Sequence, residues 1–235
     1  MDRVEAVPVP IKGRAGYNIR VNDPEATVQD YIDAIEHFIE DNVCFRSRMP
    51  ELGSCFGCEL CCQERIPVTL IDTFNLTGES LRETDTGLRK TIEESLHVFV
   101  DERVVDITLG LDDSGRCRFL DSEKKICRSY HRRPLVCRTF ICCPSTRTAK
   151  ELRAAIVNSG EDELVRKWFK LKDRNGSLII NEASCPRPMV SDYTKTPFYG
   201  AVEYRQVKLK DICSPLLWSQ LVISAKSEKK KKVSD

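Results

Sequence analysis

No stretch of this chain has the makings of a membrane span, and its opening lacks the marks of a secretory leader. No apolar run approaches the ~18 residues that a spanning helix needs. The first residues, M-D-R-V-E-A-V-P-V-P, contain neither a cationic n-region nor an apolar h-region. A cytoplasmic protein is expected. An excess of either charge is also missing. Lysine and arginine total 37, aspartate and glutamate 36, for a net charge of +1. No global field therefore draws the chain to nucleic acid or to an anionic membrane. The familiar catalytic fingerprints are absent too: no P-loop, no G-x-G-x-x-G after a strand, no H-E-x-x-H and no serine elbow. No internal repeat is visible.

Cysteine, in contrast, is abundant, with twelve in 235 residues. In a reducing compartment these are expected as metal ligands or reduced thiols, not disulfides. Four of them crowd into S-C-F-G-C-E-L-C-C-Q: Cys55, Cys58, Cys61 and Cys62. Cysteine at i, i+3 and i+6 lets three thiolates converge on one centre, and core packing does not demand that spacing. Three thiolates held so close repel unless a cation neutralises them. The run matches an iron–sulfur ligand loop, which takes its fourth ligand from elsewhere. Its first half would also serve as half of a zinc site. A second group, Cys117, Cys127, Cys137, Cys142 and Cys143, follows at spacings of 10, 10, 5 and 1. It contains no C-x-x-C knuckle of the zinc-ribbon kind, so a four-iron cluster is favoured over zinc or mononuclear iron. The side chains of adjacent Cys61 and Cys62 diverge. If both are ligands, they serve different metals or bridge two. Cys44, Cys185 and Cys213 stand apart and read as small buried hydrophobes.

These residues resemble the CxxCxxCC family of zinc- or iron-chelating domains, the YkgJ-type cysteine cluster proteins. The resemblance is carried by Cys55, Cys58, Cys61 and Cys62, by C-R-F-L from Cys117, and by I-C-R-S-Y-H-R-R-P-L-V-C-R-T-F from Ile126 to Phe140. Ser129 stands where isoleucine is common. The match covers about residues 50–145, under half the chain. It implies metal at Cys55, Cys58, Cys61, Cys62, Cys117, Cys127, Cys137 and Cys142. The family also resembles the cysteine-cluster part of flagellin lysine methylases. That implies a possible methyl-transfer enzyme, against which the missing cofactor fingerprint counts.

Arg128, His131, Arg132, Arg133 and Arg138 crowd the second block. They read either as a solvated basic face or as charges that offset a thiolate-bound cluster. Arg133, within the motif, is the first candidate for the second role, or for binding an anion bidentately. His131 reads as a structural histidine or, less simply, as an alternative ligand. His37 and His97 read as surface residues on helices.

The expected fold is α+β and mostly helical, with a small β-hairpin and an irregular, metal-organised cysteine-rich lobe. Residues 1–23 read as an N-terminal arm and 24–223 as one domain holding the cluster module. Residues 224–235, which include K-K-K-K, read as a disordered basic tail. Helices are expected from Asp23-Pro24 or Thr27 to near Asn42, from Thr69 to Gly78, from Thr86 to Val98, and at Pro134 with Cys137. Two more are expected within 147–173, broken at Asn158-Ser159-Gly160. Val104–Leu111 and Arg116–Leu120 read as a hairpin about Asp112-Asp113-Ser114-Gly115. The function expected is metal binding, most simply an iron–sulfur cluster for electron transfer or redox sensing, with an unidentified redox or protein partner. The alternative is a structural zinc module or metal carrier. Nucleic acid is expected at most through the lysine tail.

Overall fold

Within the stretch read as an arm, two strands pair with each other. In the computed structural model, which describes residues 2–41, 58–77, 79–175, 179–185 and 188–222, β1 (Val4–Ile11) runs antiparallel to β2 (Arg14–Val21). Lys12 and Gly13 join them with φ of 50° and 75°, the positive pair that a two-residue primed turn requires. Pro8 and Pro10 share a parity. Their missing amides therefore fall on the edge away from β2, where no ladder bond is lost. The free edge of β2 is covered: Tyr17 N–H donates to the Pro144 carbonyl at 3.0 Å, and Thr146 N–H to the Tyr17 carbonyl at 3.0 Å.

Contacts divide the chain into two units, residues 1–54, 138–156 and 203–235 in one and 55–137 and 157–202 in the other. In the first unit, α1 (Val28–Asp41) starts at the capping box expected from Thr27 and Asp30. Its Val28, Tyr31, Ile32, Ile35 and Phe38 are buried. Tyr17, Ile19, Leu152, Ile156, Val207 and Leu221 are buried in the same unit, and the Tyr17 ring centre lies 5.8 Å from that of Phe38. A short helix, which will be α6 in chain order (Leu209–Ile212), and a helical stretch over 215–222 close it. The expected tail beyond 224 lies outside the described residues.

The second unit is built on a three-stranded sheet. α2 (Leu70–Leu76) carries the expected Thr69–Asp72 capping box. Gly78, its expected stop, lies outside the described residues. α3 (Asp85–Ser95) starts one turn-residue pair earlier than read, capped by Thr84, whose hydroxyl accepts from Gly87 N–H at 3.0 Å. It also ends earlier. Leu96–Val100, expected as helix, is strand β3, with Leu96, Val98 and Val100 buried on one face. Leu96 fits either pattern, and the β-branched pair Val98 and Val100 tips the segment to strand. His97 is thus on a strand, not a helix. β4 (Val105–Leu109) pairs antiparallel with β3, and β7 (Glu182–Ala183) pairs parallel on the other side. The hairpin expected between Val104–Leu111 and Arg116–Leu120 reduces to one bridge, Leu111 with Cys117. The reason is the Asp112 carboxylate, which accepts from Ser114 N, Ser114 Oγ and Arg116 N and winds the loop tight.

The remaining strands are short: β5 (Leu120–Asp121) pairs with β6 (Ile126–Cys127). α4 (Leu135–Thr139) begins just after Pro134, as expected. α5 (Arg147–Asn175) is continuous where two helices were expected. Gly160 does not break it. A Cβ there would lie 2.5 Å from Thr69 Cγ2, so glycine serves close approach to the start of α2. Ile156, Leu164, Val165, Trp168 and Phe169 are buried as read. Helices outweigh strands, and the fold is α+β. Among the described residues no helix is long and apolar enough to cross a membrane.

Candidate metal centre

The first cysteine run is only partly described: Cys44 and Cys55 lie outside the described residues. From Cys58 the backbone leads into a 3-10 turn, Leu60–Gln63, which holds Cys61 and Cys62. Cys62 N–H donates to the Glu59 carbonyl at 2.9 Å. The Cys62 carbonyl in turn accepts from Cys117 N–H at 2.7 Å, so the two cysteine groups are tied through the backbone. Cys117 sits in the tightened loop, not on a return strand as expected, and is buried. Cys127 lies on β6 opposite Leu120.

Cys137 is presented by α4, and the start of that helix is anchored from a distance. Leu135 N–H donates to Asp72 Oδ1 at 2.8 Å. The other oxygen, Asp72 Oδ2, accepts from Thr69 N and Thr69 Oγ1, both at 2.9 Å. Asp72 is buried with all these donors in place, so one carboxylate caps α2 and anchors the segment that carries Cys137. Sequence reading identifies Asp72 as a cap. It misses the second role because Leu135 lies 63 residues away.

Five thiols of the second unit act on one another electrostatically. Burial pushes Cys62 up to about 11, and the neighbouring Cys117, Cys127, Cys58 and Glu59 charges add to the push. Burial also raises Cys117 and Cys127, and raises Cys137 well above the ordinary thiol range, with Cys117, Asp72 and Cys127 adding to it. Three features oppose this. The amides of Phe119 and Ser129, each two residues past a cysteine, donate to Cys117 and Cys127. Arg128 favours the thiolates of Cys117 and Cys127, and Arg133 those of Cys127 and Cys137. Arg133 is held in place: Nε donates to the Tyr130 carbonyl at 2.9 Å, and the guanidinium lies 3.9 Å from the Tyr130 ring centre. Burial thus favours the neutral thiol at Cys62, Cys117, Cys127 and Cys137, while the amides and cations favour the thiolate.

The other expected residues fall elsewhere. Cys142 and Cys143 belong to the first unit. Arg138, also there, forks onto Glu36, with Nε to Oε1 at 2.8 Å and Nη2 to Oε2 at 2.6 Å, which makes it a structural residue. Cys185 is exposed, not buried, and carries a φ of 64°. Cys213 is half-buried, as a small hydrophobe would be. Among the described residues, no three Cys, His, Asp or Glu side chains stand in metal-holding geometry.

Residues 54–155 match the model of the CxxCxxCC family, described as "Putative zinc- or iron-chelating domain". The match takes in rather less than half of the chain, and the similarity supports metal binding by this segment. Neither the curated proteins nor the solved structures contain a match to the chain.

Proposed function

We propose that the protein holds an iron–sulfur cluster, of the four-iron type, and uses it for electron transfer or redox sensing. The observation that carries this reading is the shared neighbourhood of Cys58, Cys62, Cys117, Cys127 and Cys137, with amide donors and two arginines directed at the sulfurs. Buried N–H···S bonds and nearby positive charge are the levers by which a protein stabilises a thiolate-bound cluster and sets its potential. Cys62 acts electrostatically with Cys117 and Cys127, so it stands with Cys55, Cys58 and Cys61 among the candidate ligands. The cluster, when bound, would supply a one-electron couple. The chain's own residues bury it, neutralise it through Arg128 and Arg133, and fix Cys137 through Asp72.

Zinc is the second reading, and the family description favours it equally with iron. Four thiolates satisfy zinc as a structural centre. Purification without oxygen distinguishes the two. The iron–sulfur reading expects a brown protein that bleaches in air and releases acid-labile sulfide. A colourless protein with stoichiometric zinc, and no sulfide after reconstitution with iron, establishes the zinc module instead.

A further inference from the structure

We propose that the surface from Arg116 to Arg133 is a docking face for an acidic polypeptide, presented by a partner protein above the thiol group. This goes beyond the identity of the metal and does not depend on it. The stretch holds seven Lys and Arg against two Asp and Glu, a net +5 in a chain whose total is +1. The rest of the chain is thus net negative, and the positive charge is concentrated here. The fold gathers these charges. The β5–β6 pairing turns the segment back on itself, Arg116 and Lys125 meet on Glu59 at 3.5 Å each, and the Arg128 guanidinium donates to the Arg118 carbonyl.

Not all of this charge is spent on the thiols. Arg128 and Arg133 act electrostatically on the Cys117, Cys127 and Cys137 thiols. Arg116 and Lys125 share one carboxylate. The Arg118 guanidinium donates to the backbone carbonyls of Glu94 and Leu111, which fixes its position and leaves its charge in place. Lys124 and Arg132 are exposed, and among the described residues neither forms an ion pair. His131 is exposed beside them. Exposed cations without a carboxylate partner steer an acidic partner and bias its orientation.

An acidic protein fits better than a nucleic acid. Single-stranded nucleic acid needs open aromatic faces on which bases stack. Here the Tyr130 ring is covered by the Arg133 guanidinium and met at its edge by His131, with ring centres 5.7 Å apart. Phe119 packs into the core. Cys127 lies within the same stretch and is only half-buried. A partner seated on the basic face would therefore cover a thiol of the candidate centre.

The test uses the full chain with Lys229→Ser, Lys230→Ser, Lys231→Ser and Lys232→Ser, so that the tail offers no second site for polyanions. A short fluorescein-labelled polyglutamate peptide and a single-stranded oligonucleotide of equal length are titrated by anisotropy at low and moderate salt. The peptide should bind at low salt and weaken as salt rises. Lys124→Glu with Arg132→Glu should weaken it at least about ten-fold. Lys90→Glu with Lys150→Glu, an equal charge change at exposed sites elsewhere, should stay within about two-fold. Equal loss in both double variants, no peptide binding at low salt, or tighter binding of the oligonucleotide would each overturn the proposal. Metal content measured on the same samples reports separately on the iron–sulfur reading, so the two fail independently.

Discussion

Asp72 couples two parts of the candidate centre through one side chain. Its carboxylate receives three hydrogen bonds in a buried site, two from Thr69 and one from Leu135. Asp72→Ala would strand the Thr69 and Leu135 amides without water to replace the acceptor. A loss of about 2–4 kcal/mol is expected in urea denaturation. Because the Leu135 anchor sets the start of α4, Cys137 should also become more reactive toward a thiol reagent. Unchanged stability with unchanged Cys137 reactivity would contradict the role. At this scale the sequence was half legible. The Cys55, Cys58 and Cys61 spacing, and the motif around Cys127 and Arg133, point to these residues as candidate ligands and charges. Cys142, read with this group, falls in the first unit. The Asp72–Leu135 bond and the Phe119 and Ser129 amides left no signal, because they depend on how separate segments meet.

Elements were legible where the signal was local. The capping boxes at Thr27–Asp30 and Thr69–Asp72 mark the starts of α1 and α2, since both partners lie within one turn. They failed where distant packing decides. The Asn158-Ser159-Gly160 stretch looks like a helix break, but Gly160 lies against Thr69 in the middle of a continuous helix. Gly160→Ala should therefore destabilise by about 1–3 kcal/mol through overpacking, although alanine is the better helix former. A raised melting temperature would show that the close approach is relaxed at no cost.

The outer edge of β4 makes a second prediction at the element scale. Its amides are covered by three different groups: Val105 N–H by the Tyr193 hydroxyl at 2.7 Å, Ile107 N–H by Glu161 Oε1 at 3.0 Å, and Leu109 N–H by the Ile66 carbonyl at 2.8 Å. Burial pushes the Glu161 carboxyl up to about 8, opposed by the Ile107 amide and reinforced by Asp106, which shares a hydrogen bond with it, and by Asp162. The folded state thus holds a proton that the unfolded chain releases near the ordinary value of 4.5. This contribution is complete below about pH 4.5, falls as pH rises, and is gone above about pH 8. The slope for one proton is at most about 1.4 kcal/mol per pH unit. Glu161→Gln, which keeps an acceptor for Ile107, should flatten the profile between pH 5 and 8 and raise stability at its upper end. A wild-type profile that is already flat there would contradict the assignment.

Across the whole molecule, the fold class and the similarity to a zinc- or iron-chelating domain were legible, and the grouping of distant segments into two units left no mark in the sequence. Segments 138–156 and 203–235 join the N-terminal hairpin and α1 in one unit, and no composition shift marks those crossings. The hairpin itself was hidden by Pro8 and Pro10, which read as extended chain until their edge-facing register is known. The second unit combines a regular sheet with short irregular segments, Leu60–Gln63, β5 and β6 among them, that burial alone holds weakly. Metal binding should therefore be coupled to its folding.

The central claim is that the thiols gathered in the second unit hold the metal. The most direct measurement is iron, zinc and acid-labile sulfide per chain in anaerobically purified wild type, Cys62→Ser and Cys213→Ser, with melting temperature recorded on the same samples. Wild type and Cys213→Ser should carry iron and sulfide in similar amounts and melt together. Cys62→Ser should lose most of both and melt lower. Equal metal in all three proteins, or metal lost from Cys213→Ser as readily as from Cys62→Ser, would contradict the account.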